Sequence, residues 1–157
     1  MRIVVISDSH RRYGVIEKIL LEQPKAERVY FLGDVVPDVE RAAEHFPDRI
    51  FRSVSGNCDF ASLLPSTAID ECHGVRILYT HGHTLGVKYG VDRLFDTARE
   101  NGCRIALFGH THIALNEYRD GIYLMNPGSC AQSRNGPESY GVIDIEECGI
   151  LPAILRV

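Results

Sequence analysis

The chain has 157 residues, of which 45% are hydrophobic and 24% charged, and a formal net charge of −4. That size suits one domain over residues 1–157 with a core able to stand without staples, and no low-complexity tract interrupts it. The acidic balance argues against a general polyanion binder, which would carry a basic stripe, and no stretch approaches the ~20 apolar residues that span a bilayer.

Residues 2–7 are a continuous apolar run of strand length, closed by Asp8-Ser9-His10. They read as a buried strand and not as a signal peptide, so a reducing cytoplasm is the expected compartment. Residues 14–22 place Ile16, Ile19 and Leu20 on one helical face before Pro24. Val29–Leu32 is a second buried strand, ended by Gly33-Asp34, and a short helix over Val39–His45 follows Pro37-Asp38, with Asp38 as its cap. Ile50–Val54 is a third strand, ended by Ser55-Gly56-Asn57. Strands alternating with helices predict parallel pairing, which sets Asp8, Asp34 and Asn57 along one carboxyl edge, where open α/β sheets bind ligands.

The second half changes character. Thr67–Cys72 and Val75–Thr80 flank His73-Gly74 as a hairpin, and the second strand runs into His81-Gly82-His83. Gly90–Asn101 is amphipathic through Val91, Leu94, Phe95 and Ala98, with Gly102 as its stop. Arg104–Phe108 is a strand ending in Gly109-His110-Thr111-His112. Ala114–Tyr118 pairs with Ile122–Met125 across Asp120-Gly121, and Tyr140–Ile145 pairs with Leu151–Val157. The expected shape is two packed sheets flanked by helices, with the polar loops along one edge. Exposed hairpin edges leave self-association into a homo-oligomer open.

Five of the seven histidines fall in the strand-end clusters, and only His45 and His73 lie outside, where a surface reading suffices. Taken singly, Asp8, Asp34 and Asn57 read as turn residues, and His81 and His110 as buried, hydrogen-bonded imidazoles. Five such accidents in order are a poor account; a metal site explains all of them together. Imidazole, carboxylate and amide oxygen suit borderline transition metals better than Mg²⁺ or Ca²⁺, leaving Mn²⁺, Ni²⁺, Fe, Co²⁺ and Zn²⁺ open. The cysteines Cys58, Cys72, Cys103, Cys130 and Cys148 form no C-x-x-C pair and suggest neither a zinc knuckle nor a disulfide framework.

Asp-x-His, Gly-Asp, Gly-Asn, His-Gly-His and Gly-His-x-His in this order resemble the motifs of the calcineurin-like metallophosphoesterases, and the short Gly56-Asn57-Cys58-Asp59 form resembles their small YfcE-like phosphodiesterase branch. The likeness runs from Asp8 to about Arg134. It implies a four-layer αββα sandwich of two mixed β-sheets flanked by helices. It implies two divalent cations, one held by Asp8, His10 and His112 and the other by Asn57, His81 and His110, with Asp34 bridging. The implied reaction is in-line attack of a metal-bridging hydroxide on a small phosphodiester or other phosphate ester. Larger members carry a histidine after the motif asparagine as leaving-group acid. Here Cys58 occupies that place, which leaves the acid in doubt and makes His83 the candidate. Arg134, following Asn126-Pro127-Gly128-Ser129, is a candidate substrate contact alongside Cys58; a surface ion pair is the plainer reading of such an arginine. Ser129 has no base at a readable spacing, so a serine nucleophile is not expected.

Two other functions are weighed. A catalytically inert protein-binding scaffold on the same fold, like the retromer subunit that resembles this branch, would have lost ligands, whereas all seven positions stand here. A nuclease would need a basic, aromatic track that the sequence does not show, and a dinucleotide polyphosphate hydrolase has little room for a capping domain.

Overall fold

A strand buried on both faces needs apolar side chains at every position, and Ile3, Val4, Val5 and Ile6 meet that requirement. The computed structural model describes residues 1–157. In chain order the elements are β1 (Arg2–Ile6), α1 (Tyr13–Glu22), β2 (Ala26–Phe31), α2 (Val36–His45) and β3 (Ile50–Ser53). They continue with β4 (Thr67–Cys72), β5 (Val75–Thr80), α3 (Asp92–Glu100), β6 (Ile105–Phe108), β7 (Leu115–Arg119), β8 (Ile122–Asn126), β9 (Ser139–Glu146) and β10 (Gly149–Arg156). The first sheet has the order β10-β9-β1-β2-β3 and the second β4-β5-β6-β8-β7. Parallel pairing links β1 to β2, β2 to β3, β5 to β6 and β6 to β8, while the edge hairpins are antiparallel, so both sheets are mixed.

The pleat of β1 explains the layering. Ile3 and Val5 enter the space between the sheets, where they meet Tyr30, Ile77, Tyr79 and Leu107. Val4 and Ile6 point the other way, beneath Ile16, Ile19 and Leu20 of α1 and Val39 and Ala42 of α2. On the far side α3 lays Leu94, Phe95 and Ala98 over Leu78, Ala106 and Phe108. The result is the expected helix–sheet–sheet–helix sandwich. Both inner strands read as unbroken apolar runs because neither face is wet.

Expected elements and observed ones agree to within about two residues except at the starts of β2 and α2, each three residues earlier than expected. That helix begins at Val36, with Pro37 and Asp38 inside its first turn, and no side chain of its own caps it. Asp38 is therefore not the cap; its carboxylate accepts the Ser9 hydroxyl at 2.7 Å. The free first-turn N–H groups find an acceptor elsewhere in the chain. All five cysteines are free thiols, and no helix is long and apolar enough to cross a membrane.

A candidate metal centre at the carboxyl edge of both sheets

Five loops carry the polar clusters, leaving the ends of β1, β2, β3, β5 and β6. The first sheet contributes Asp8, His10, Asp34 and Asn57, and the second His81, His83, His110 and His112. The loops can meet because two of their turns lack a side chain. A Cβ on Gly56 would strike the Asp34 carboxylate, and one on Gly109 would strike the Ser7 hydroxyl and the Asp8 carboxylate. Asp8, His10, Asp34, His110 and His112 all have positive φ, between 45° and 67°. Left-handed backbone at non-glycine residues costs free energy and persists where the surroundings impose it, characteristically at functional sites.

The donor atoms of Asp8, His10, Asp34 and His112 lie within 4.8 Å of one another. His112 Nε2 is 3.1 Å from Asp8 Oδ1 and 3.2 Å from His10 Nε2. The Nδ1–H of His112 is committed to the Gln132 carbonyl at 2.7 Å, which leaves Nε2 as a lone pair. Asp8 Oδ1 is buried and has no hydrogen-bond partner. Beside this group His81 repeats the device. Its Nδ1 faces the Leu32 carbonyl at 2.7 Å, and its Nε2 stands 3.1 Å from Asn57 Oδ1. Asp34 lies between the two groups, with Oδ2 at 4.0 Å from His10 Nε2 and Oδ1 at 3.6 Å from His81 Nε2. His110 packs its ring against His81 with centroids 5.0 Å apart, and its backbone N–H donates to Asp8 Oδ2.

The electrostatics agree with this geometry. Burial raises the Asp8 carboxyl, but the His112 ring at 3.1 Å, the His81 ring and the Ser7 hydroxyl outweigh it and hold the group below the usual carboxylate range. His112 is raised, chiefly by its contact with the Asp8 carboxylate. Burial, then His81 and Lys88, push His110 down to about 4, leaving it neutral with a lone pair to give. Lone pairs gathered in one place, those of His81 and His112 with the ring hydrogen tied to a backbone carbonyl, are a donor set for divalent metal. The residues present fit divalent metal.

All seven sequence-predicted ligands are thus brought to one place. His83 lies on the rim, its ring 5.3 Å from His81 and 6.0 Å from His110, with Nδ1 unpartnered. Cys58 is exposed, its N–H donates to Asp34 Oδ1 at 2.9 Å, and its thiol is pushed up to about 11 by burial and Asp34. Arg134 donates its N–H to the His112 carbonyl and turns an exposed side chain outward. Tyr140 is buried under a hydrogen bond from Gln23 and does not line the site.

Three supporting residues lie outside the sequence-based assignment. Asp59 accepts the N–H groups of Asp34, Val35, Val36 and Gly56 at 2.7–2.9 Å, capping α2 and tying two ligand loops together. Ser129 donates to the Asp8 carbonyl at 2.8 Å, a positioning job. Asn126 holds the Gly109 carbonyl and the Thr111 hydroxyl. In the sequence only its place at the end of Gly56-Asn57-Cys58-Asp59 marks Asp59.

A fold of two mixed sheets with this donor set belongs to the metallophosphoesterases. The model of the calcineurin-like phosphoesterase superfamily domain matches residues 1–148, and the chain is a member of that family. Among its relatives, the probable metallophosphoesterase YsnB of Bacillus subtilis is 33% identical over 93% of this chain and 85% of its own length. The phosphodiesterase YfcE of Escherichia coli K12 is 27% identical over 96% and 91%. The crystal structure of a conserved predicted phosphoesterase from Streptococcus pneumoniae TIGR4 superposes with a TM-score of 0.83 at 27% identity, covering 99% of this chain and 88% of that one. Vacuolar Protein Sorting 29 from Cryptosporidium parvum shares the fold, with a TM-score of 0.76 at 21% identity and coverage of 98% and 96%.

Proposed function

We propose that the protein is a metal-dependent phosphodiesterase using two divalent transition-metal ions. The observation that carries this is the placement of Asp34 between two converging sets of lone pairs, one on Asp8, His10 and His112 and the other on Asn57 and His81. Cations held there supply Lewis acidity, lowering the pKa of water and drawing in a phosphate anion. The chain's own part is positional. Asp34 offers one oxygen to each side, Asn57 and His81 fix the second position, and His110 closes it from above His81. Arg134, whose N–H donates to the His112 carbonyl, is the residue proposed to grip an anionic oxygen. Cys58 lines the site as a neutral thiol.

His83 is the proton donor for the departing oxygen. Burial and His81 hold it below the ordinary histidine value, so it is a weak reservoir of protons at neutral pH. The enzyme should therefore favour esters with good leaving groups. His83→Ala should slow unactivated esters more than nitrophenyl ones; equal slowing would remove the acid role.

The direct test is hydrolysis of bis-p-nitrophenyl phosphate with added Mn²⁺ or Ni²⁺. Turnover that Asp34→Asn or His81→Ala abolishes supports the enzyme; no turnover with any transition metal supports the scaffold reading.

A further inference from the structure

The ester's organic portion needs somewhere to lie, and the molecule has a groove of about 820 Å³ lined by Arg11, Val35 and Cys58, the residues that follow His10, Asp34 and Asn57. One wall is the start of α2, with Val36 and Pro37; the other is the loop after Cys58, with Phe60 and Leu63. Cys58 belongs to both places, since its side of the loop lines the groove while its N–H holds Asp34 Oδ1. Phe60 and Leu63 are 94% and 102% exposed, so two large apolar side chains stand in water beside a site built for a polar anion. Nothing in the fold needs them there.

Charge along the groove narrows the occupant. The carboxylates of Asp38 and Asp59 are engaged with Ser9 and with backbone N–H groups. Glu40 makes no ion pair, and its charge would repel a second anionic group. Arg11 lines the groove one residue after His10, has φ of 68° and makes no side-chain hydrogen bond or ion pair. It is an exposed, unpaired cation lining the groove in the loop that carries His10, and a phosphate oxygen suits such a group.

We infer that this groove is the subsite for the ester's organic group, and that the substrate class is phosphate esters bearing an uncharged apolar or aromatic group, with Phe60 and Leu63 covering it and Arg11 meeting the phosphate. The inference rests on the phosphoesterase reading and names its specificity.

The experiment compares p-nitrophenyl esters whose second group is phenyl or methyl, using Mn²⁺-loaded protein. Phenyl should be preferred through KM, and Phe60→Ala or Leu63→Asp should reduce that preference about five- to tenfold. Calorimetry with phenylphosphonate and methylphosphonate should show the same difference in affinity without turnover. Arg11→Ala should weaken both phosphonates alike. Turnover of both esters with an unchanged phenyl-to-methyl ratio in the variants would overturn the subsite while leaving the phosphoesterase reading intact; absence of all turnover would remove that reading first. A dimer in light scattering that Phe60→Ala or Leu63→Asp dissolves would assign the loop to a second copy and overturn the proposal.

Discussion

At the scale of single residues, the site depends as much on what its ligands are tied to as on the ligands. His81 and His112 each spend Nδ1–H on a backbone carbonyl, Leu32 and Gln132, which fixes the ring and frees Nε2. Asp59 does the same for the backbone, gathering four N–H groups from the loops that carry Asp34 and Gly56. Asp59→Ala should therefore weaken metal binding about 10–100-fold without removing a ligand, as outer partners of metal ligands generally do; titration with Mn²⁺ by calorimetry checks this. The ligands were legible in the sequence because their types are rare and each follows an apolar run. Asp59 was not, because a carboxylate accepting from three N–H groups more than twenty residues away has no pattern of its own.

At the scale of elements, the apolar runs and turn residues located every strand, since a two-faced buried strand and a hairpin each impose a composition. The start of α2 was misplaced for a physical reason: its cap comes from Asp59, more than twenty residues later in the chain, and local sequence cannot reveal such a cap. Another long-range device joins the sheets. Asp70 on β4 receives Arg28 and Tyr30 of β2 and Arg52 of β3, linking the first sheet to the edge of the second. Burial raises the Asp70 carboxyl, but the Tyr30 hydroxyl and the two arginines outweigh it and leave it below the ordinary value. Its contribution is present above the unfolded-state pKa of ~3.9 and is lost as pH falls through the lower folded-state value. Asp70→Asn should cost about 1–3 kcal/mol at pH 7 and should flatten the acid limb. Urea unfolding at pH 7 and pH 3 measures both.

At the scale of the whole molecule, the metal centre and the fold are not separable. The first sheet brings Asp8, His10, Asp34 and Asn57, and the second brings His81, His110 and His112. Cations at a hundred times their dissociation constant should add about 2.7 kcal/mol to stability. For a domain of this size that raises the melting temperature by about 5–10 °C. A thermal melt with Mn²⁺ and with EDTA reads the difference, and Asp34→Asn should show little of it.

That shared ownership of the ligands has a further consequence. Ions gripped by both halves would act as rivets as well as reagents, clamping one layer to the other where β3 and β4 do not pair. A descendant relieved of chemistry would still gain rigidity by keeping its histidines.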